Sequence, residues 1–183
     1  MHQISSDSDP DFTPSAESRA LSGLEYAVTT LVFGFSRWVE ACMDAANVYG
    51  LNAQDILVLH TVNHRARGRR LSEIGAVMNI GDSYLVAYSL KKLIAAGLVM
   101  AERTGRERHY LTTEAGDRAC FEYRRVRERH LVQALFPGEG DTGNIEEVTR
   151  FLSRMIAGYD QAGRTATVES LSRPKLPPVR TKK

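Results

Sequence analysis

The chain has 183 residues, 43% hydrophobic and 25% charged, with a formal net charge of +2. That length suits one domain with extensions and suffices to bury a core without disulfides or metals. Arg37, Glu40 and Asp44 break up the longest candidate for the roughly 20 apolar residues of a membrane helix, and the acidic start (Asp7, Asp9, Asp11, Glu17) is unlike a signal peptide. A cytoplasmic protein with no membrane partner is expected.

The small net charge is unevenly spread. Residues 61–130 hold fourteen Lys or Arg against eight Asp or Glu, and the remainder holds ten against fourteen. A cationic middle suits a polyanion partner, although a solvated helix face would look similar. Cys42 and Cys120 form neither a disulfide framework nor a zinc knuckle. They read as small buried hydrophobes or, alternatively, as a redox-sensing thiol.

Residues 1–18, rich in Ser, Asp and Pro, read as a mobile tail. Over 19–50 a long helix is expected, because Leu21, Leu24, Val28, Leu31, Phe35, Trp38, Cys42 and Ala45 recur at steps of three and four. Such a seam wants another helix against it, from a second subunit or from its own. Asn52, with Asp55 three residues later, opens a helix through Ile56, Leu57, Leu59 and Val62 that stops in HRARGRR. Ser72 is expected to cap a brief helix, and Asn79-Ile80-Gly81-Asp82 supplies a turn.

The next helix, 83–96, buries Val86, Leu90 and Leu93 and ends at Gly97. Two strand-like runs over 99–112, around Thr104-Gly105-Arg106-Glu107, make a hairpin. Thr113 and Glu114 begin a helix reaching to about Leu135; after a breaker at 137–144 a second seam follows through Ile145, Val148, Leu152, Ile156 and Tyr159. Residues 171–183 read as a basic flexible tail.

Helix, short helix, turn, helix and hairpin in that order make a helix-turn-helix with a wing. The expected class is therefore mainly α with a small β-hairpin wing. A winged helix-turn-helix over 51–116 is flanked by long dimerisation helices at 19–50 and 117–170.

The segment LSEIGAVMNIGDSYLVAYSLKKLIAAGLV resembles the paired helices of the MarR-type winged-helix regulators, and HYLTTEAG is similar to the Leu-Thr-x-x-Gly signature after their wing. The likeness covers 21–160, with the motifs confined to 52–116. It implies a homodimer bound to double-stranded DNA at a pseudo-palindromic operator, with helix 83–96 in the major groove and the wing at a minor groove or its backbone. It also implies release by a small aromatic effector and neither enzymatic activity nor a cofactor.

Helical geometry turns Ser83, Tyr84, Ala87, Tyr88 and Lys91 away from the buried stripe, toward base edges and phosphates. This face departs from the family pattern: it has two tyrosines and no Arg or Gln for bidentate reading. The wing likewise lacks the usual Asp-x-Arg pair and offers Arg103, Arg106 and Arg108 instead. Arg65, Arg67, Arg69, Arg70 and Ser72 are natural phosphate contacts.

His60 and His64, four residues apart on one helix, suggest either two metal ligands or, with Trp38 and Tyr49, the lining of an effector pocket. The apolar character of Tyr84, Leu85 and Tyr88 keeps open an alternative, a winged-helix module that binds a protein partner. No phosphate loop, nucleophile elbow or placed carboxylate pair points to catalysis.

Overall fold

A computed structural model describes residues 13–64, 67–136 and 142–172. The chain forms two compact units, Met1–Val132 and Gln133–Lys183. The first contains α1 (Ala16–Ala45), α2 (Ala53–Asn63), α3 (Leu71–Val77), α4 (Ser83–Ala95), β1 (Val99–Thr104), β2 (Glu107–Thr112) and α5 (Glu114–Arg127), followed by a π-helical turn, Glu128–Val132. The second holds the helical turn α6 (Gln133–Leu135) and α7 (Gly143–Leu171). Most of the two expected tails lies outside the described residues; at the first, α1 already begins at Ala16 because the Ser15 hydroxyl caps it, accepting from Ser18 N at 3.1 Å.

The helix starts follow the chemistry of orphan backbone N–H groups. Asn52 and Asp55 form a reciprocal capping box on α2, with bonds of 2.9 and 3.1 Å. Asp82 accepts from Tyr84 N, and Thr113 from Gly116 N. One cap differs from expectation: α3 starts at Leu71, so Ser72 is its second residue. The Glu73 carboxylate fills the capping role by accepting from Arg70 N at 2.8 Å.

Three helices end alike. After α1, α3 and α4 a residue turns left-handed (Asn47 φ 59, Asn79 φ 51, Gly97 φ 70). The next N–H then reaches back five residues: Val48 to Met43, Ile80 to Gly75, Leu98 to Leu93. This is the Schellman closure, in which a left-handed residue lets two orphan carbonyls be satisfied. At α4 it also buries Leu98 beside Leu93.

The core joins Val39, Cys42 and Met43 of α1 to Ile56, Val58, Leu59 and Val62 of α2, Ile74 of α3, Val86, Leu90 and Leu93 of α4, and Ala119, Cys120 and Tyr123 of α5. The seam expected along α1 therefore buries only near its C-terminal end, where α2 and α5 pack on it. Toward its N-terminus Leu21, Leu31 and Phe35 stay exposed in the single chain. The helix expected to run from Thr113 to Leu135 is interrupted by the π turn at Glu128. Unit two, taken by itself, buries no residue of α7, and Ile145, Val148, Phe151 and Ile156 are exposed.

The hairpin pairs Val99 with Thr112 through Thr104 with Glu107, leaving Gly105 and Arg106 as a two-residue loop. Gly105 at φ 64 has the positive φ that a tight hairpin loop demands at its first position. Below the hairpin, Thr113 binds the corner after α4 twice: its N–H donates to Leu98 O at 3.0 Å and its hydroxyl to Gly97 O at 2.6 Å. That draws the first turn of α5 so close that a Cβ on Gly116 would lie 2.1 Å from Leu98 O.

Gly116→Ala must push backbone apart, and we expect a loss of about 2–4 kcal/mol in stability. Gly158→Ala, in α7 with nothing near its added methyl, should be neutral or stabilising by up to about 1 kcal/mol. Urea midpoints of the two variants against the unaltered chain check the contrast.

Candidate nucleic-acid interface

α4 is set by burial on one side. Val86 and Leu93 are 0% exposed and Leu90 1%, and each such side chain stabilises the fold by about 1.5–3 kcal/mol. The 3.6-residue period then fixes what faces out. Tyr84 is 70% exposed and Tyr88 58%, Ser83 and Lys91 are exposed, and Ala87 is half-buried. All five residues expected on this face lie there, together with Leu85, and no part of the described chain covers the two tyrosines.

The wing concentrates cation. Arg103 and Arg108 stand directly opposite each other across the hairpin, and like charges so placed are destabilising without an anion nearby. Glu107, beside Arg108, does not offset them: it pairs with Arg70 at 3.0 Å and lies 3.9 Å from His109. Among the described residues Arg103, Arg106 and Arg108 are exposed and make no ion pair.

The arginines before α3 divide. Arg65 lies outside the described residues. Arg67 is exposed beside His64, Glu73, Ala76 and Val77. Arg69 departs from the expectation of a phosphate contact: its backbone bridges Tyr110, its side chain is 5% exposed, and it donates to His64 O at the end of α2. There it serves a helix C-terminus, where carbonyl oxygens attract a cation. Arg70 is exposed but engaged by Glu107 and, more weakly, by Glu73, which raise its pKa. Ser72 is exposed in the first turn of α3.

Of the four residues expected to line an effector pocket, two share a groove. His60 and His64 line a groove with Leu57, Thr61, Val77 and Met78. Trp38 packs instead against the core, and Tyr49 is 68% exposed with its hydroxyl on Asn47 Oδ1. Sequence spacing could not separate these, since Trp38 and Tyr49 end up on different sides of the turn that closes α1. Among the described residues no group of three His, Cys, Asp or Glu can hold a metal ion.

Burial, aided by the Arg124 charge, lowers the His60 pKa to about 4, and its ring packs on Tyr123 at 4.3 Å. Burial pushes the Cys42 thiol up to about 11 and Cys120 to about 12. Both are free and buried in the core, the environment of a small hydrophobe.

Sequence reasoning missed three contacts behind α4. Lys92 Nζ donates to the buried Asp55 Oδ2 at 2.6 Å, and Gln54 Nε2 donates to Leu85 O and Ser89 Oγ. The spacing 85, 89, 92 marks one ridge of the helix, but nothing local tells which partner, more than thirty residues away, meets it.

His60 titrates at about 4 in the fold against 6.5 when free, so the unfolded chain binds the proton first as pH falls. The contribution is whole above about pH 6.5 and is lost as pH drops toward 4, on the order of 2 kcal/mol by pH 5. His60→Phe, which keeps a ring against Tyr123, should remove that part of the acid destabilisation. Urea unfolding at pH 7.5 and 5 checks it; equal losses in both chains would count against the assignment.

Residues 51–116 match the family model of winged helix DNA-binding domains. No curated protein matches the chain. Among solved structures it is similar to AbfR of Staphylococcus epidermidis, with TM-score 0.65 and 18% identity over 79% of this chain and 96% of that one. A MarR family regulator from Neisseria meningitidis gives TM-score 0.60 and 20% identity, covering 82% and 98%. Reduced AbfR bound to DNA gives 0.59 and 19%, covering 78% and 99%. At such identities the likeness is one of fold: the chain is a winged-helix protein, its DNA-binding-type domain at 51–116 set within the fold of the MarR family regulators.

Proposed function

We propose that this chain is a homodimeric transcriptional regulator of MarR type that reads a pseudo-palindromic DNA operator through α4 and the wing. The observation that carries the reading is the uncovered face of α4 (Ser83, Tyr84, Tyr88, Lys91), in the same compact unit as a hairpin tip bearing three unpaired arginines. Tyrosine hydroxyls and Ser83 supply donors and acceptors to base edges, Ala87 suits a thymine methyl, and Lys91 and the arginines suit phosphates. A structure with DNA bound exists for AbfR, which shares the fold.

Dimerisation is supported by apolar surface with no cover in the single chain. Leu31, Val32, Phe33 and Phe35 of α1 are exposed, as are Ile145, Val148, Phe151 and Ile156 of α7. Apolar patches of this kind mark association surfaces. We expect a dimeric mass by light scattering at micromolar concentration, and a monomer there would refute it.

Selection from randomised DNA should recover a near-palindrome with half-sites about one helical turn apart. On that site Tyr88→Ala should cost affinity selectively, by roughly 1–3 kcal/mol, whereas Arg106→Ala with Arg108→Ala should weaken all DNA alike and flatten the salt dependence. If no sequence is enriched, the exposed Tyr84, Leu85 and Tyr88 belong to a protein-binding face instead.

A small aromatic effector is assigned to the groove at His60 and His64, whose apolar walls and imidazoles suit a phenol. A phenol panel should lower DNA affinity of the unaltered chain and leave that of a Val77→Trp variant, which fills the groove, unchanged. Equal effects on both would place the effector elsewhere.

A further inference from the structure

α4 is attached to the rest of its unit by the buried stripe of Val86, Leu90 and Leu93, which fixes how deep it sits and which side faces out but resists small rotations about its own axis only weakly. Rotation is what would misalign a reading face. Three polar contacts resist it, and all come from the first turn of α2. Gln54 Nε2 donates to Leu85 O at 3.1 Å and to Ser89 Oγ at 3.2 Å. Asp55 Oδ2 accepts from Lys92 Nζ at 2.6 Å.

Leu85, Ser89 and Lys92 lie at i, i+4 and i+7, one straight ridge along α4. The outward tyrosines, Tyr84 and Tyr88, each precede a ridge residue by one position and so sit about 100° round the helix.

The base of this clamp is itself fixed. Asp55 is 0% exposed, and its Oδ2 also accepts from Asn52 N, closing the cap of α2. Its Oδ1 has no partner among the described residues, where Lys92 is the one cation paired with this buried carboxylate. Ala53 N, in the same turn, donates to Glu40 Oε1 of α1 at 2.8 Å. One turn of helix thus touches α1 on one side and holds α4 on the other.

We propose that Gln54, Asp55 and Lys92 are positioning residues for DNA reading: without touching DNA they set the rotation of α4, and so determine sequence preference while leaving bulk affinity alone. This rests on the DNA-reading function above. A buried ion pair adds little stability over an apolar pair of the same shape, whereas its directional geometry specifies one rotation.

The test uses the full chain and three variants. Lys92→Met and Gln54→Leu should each reduce the ratio of preferred-site to random-DNA affinity by roughly tenfold, the size of one mismatched base pair. Random-DNA affinity and its salt slope should stay as in the unaltered chain, and Lys92→Arg should restore most of the ratio. Hydrogen exchange without DNA gives an independent readout: α4 amides should exchange faster in Lys92→Met while those of α5 do not.

Should Lys92→Met fail to fold, Gln54→Leu carries the test, because it leaves no buried charge unpaired. An unchanged ratio in folded variants overturns the proposal, as does unchanged exchange in α4. Faster α4 exchange in a chain that prefers no DNA sequence would overturn the DNA reading and, with it, this role in specificity, while the clamp itself stood.

Discussion

The burial of Val86, Leu90 and Leu93 is the constraint from which the rest of the molecule follows. Three apolar side chains at 0–1% exposure stabilise the attachment of α4 by on the order of 5–9 kcal/mol, comparable with the whole net stability of a small domain. Once that stripe is inside, helical period leaves no freedom over what is outside. Exposing Tyr84 at 70% and Tyr88 at 58% is a cost accepted by the fold rather than a gain. A surface kept open at a cost is the ordinary mark of a surface with a partner.

A second set of constraints ties the wing to α4. The left-handed Gly97 ends the helix, Leu98 turns into β1, and the chain returns along β2 to Thr113, which hydrogen-bonds back to Gly97 and Leu98. Gly116 is what lets α5 come close enough to complete that corner. The threonine and glycine at spacing three are thus explained without reference to DNA: they fix where the hairpin leaves the body. The arginines at its tip inherit a defined position from a corner several residues away.

Much of this was legible in the sequence because it is local. The Asn52–Asp55 capping box, the end of α4 at Gly97, the glycine loop of the hairpin and the outward set on α4 all rest on spacings of a few residues. What could not be read depends on distant partners. Arg69 and Arg70 are neighbours of one type, yet one is folded under α2 as its C-terminal partner while the other is held by Glu107 on the wing. Trp38, Tyr49, His60 and His64 all carry chemistry suited to a pocket, yet spacing could not say that the two histidines share a groove with Val77 and Met78 of another element. Along α1 the apolar period ran on unchanged, so it could not say that the helix leaves the core before its N-terminal part.

Charge distribution in the wing argues further than a count of arginines does. Arg103 opposite Arg108 raises the energy of the hairpin in the absence of a counter-anion, and Glu107, the carboxylate beside Arg108, is turned toward Arg70 and His109. Had Glu107 paired with Arg108 instead, one of the three tip charges would be offset and Arg70 would keep only Glu73. The observed pairing does the reverse: it ties Glu107, at the loop end of β2, to the residue before α3 and leaves the three arginines unpaired. Since exposed ion pairs contribute little stability, the arrangement matters for where positive charge is concentrated, at the end of the hairpin where a long side chain can reach furthest into a groove.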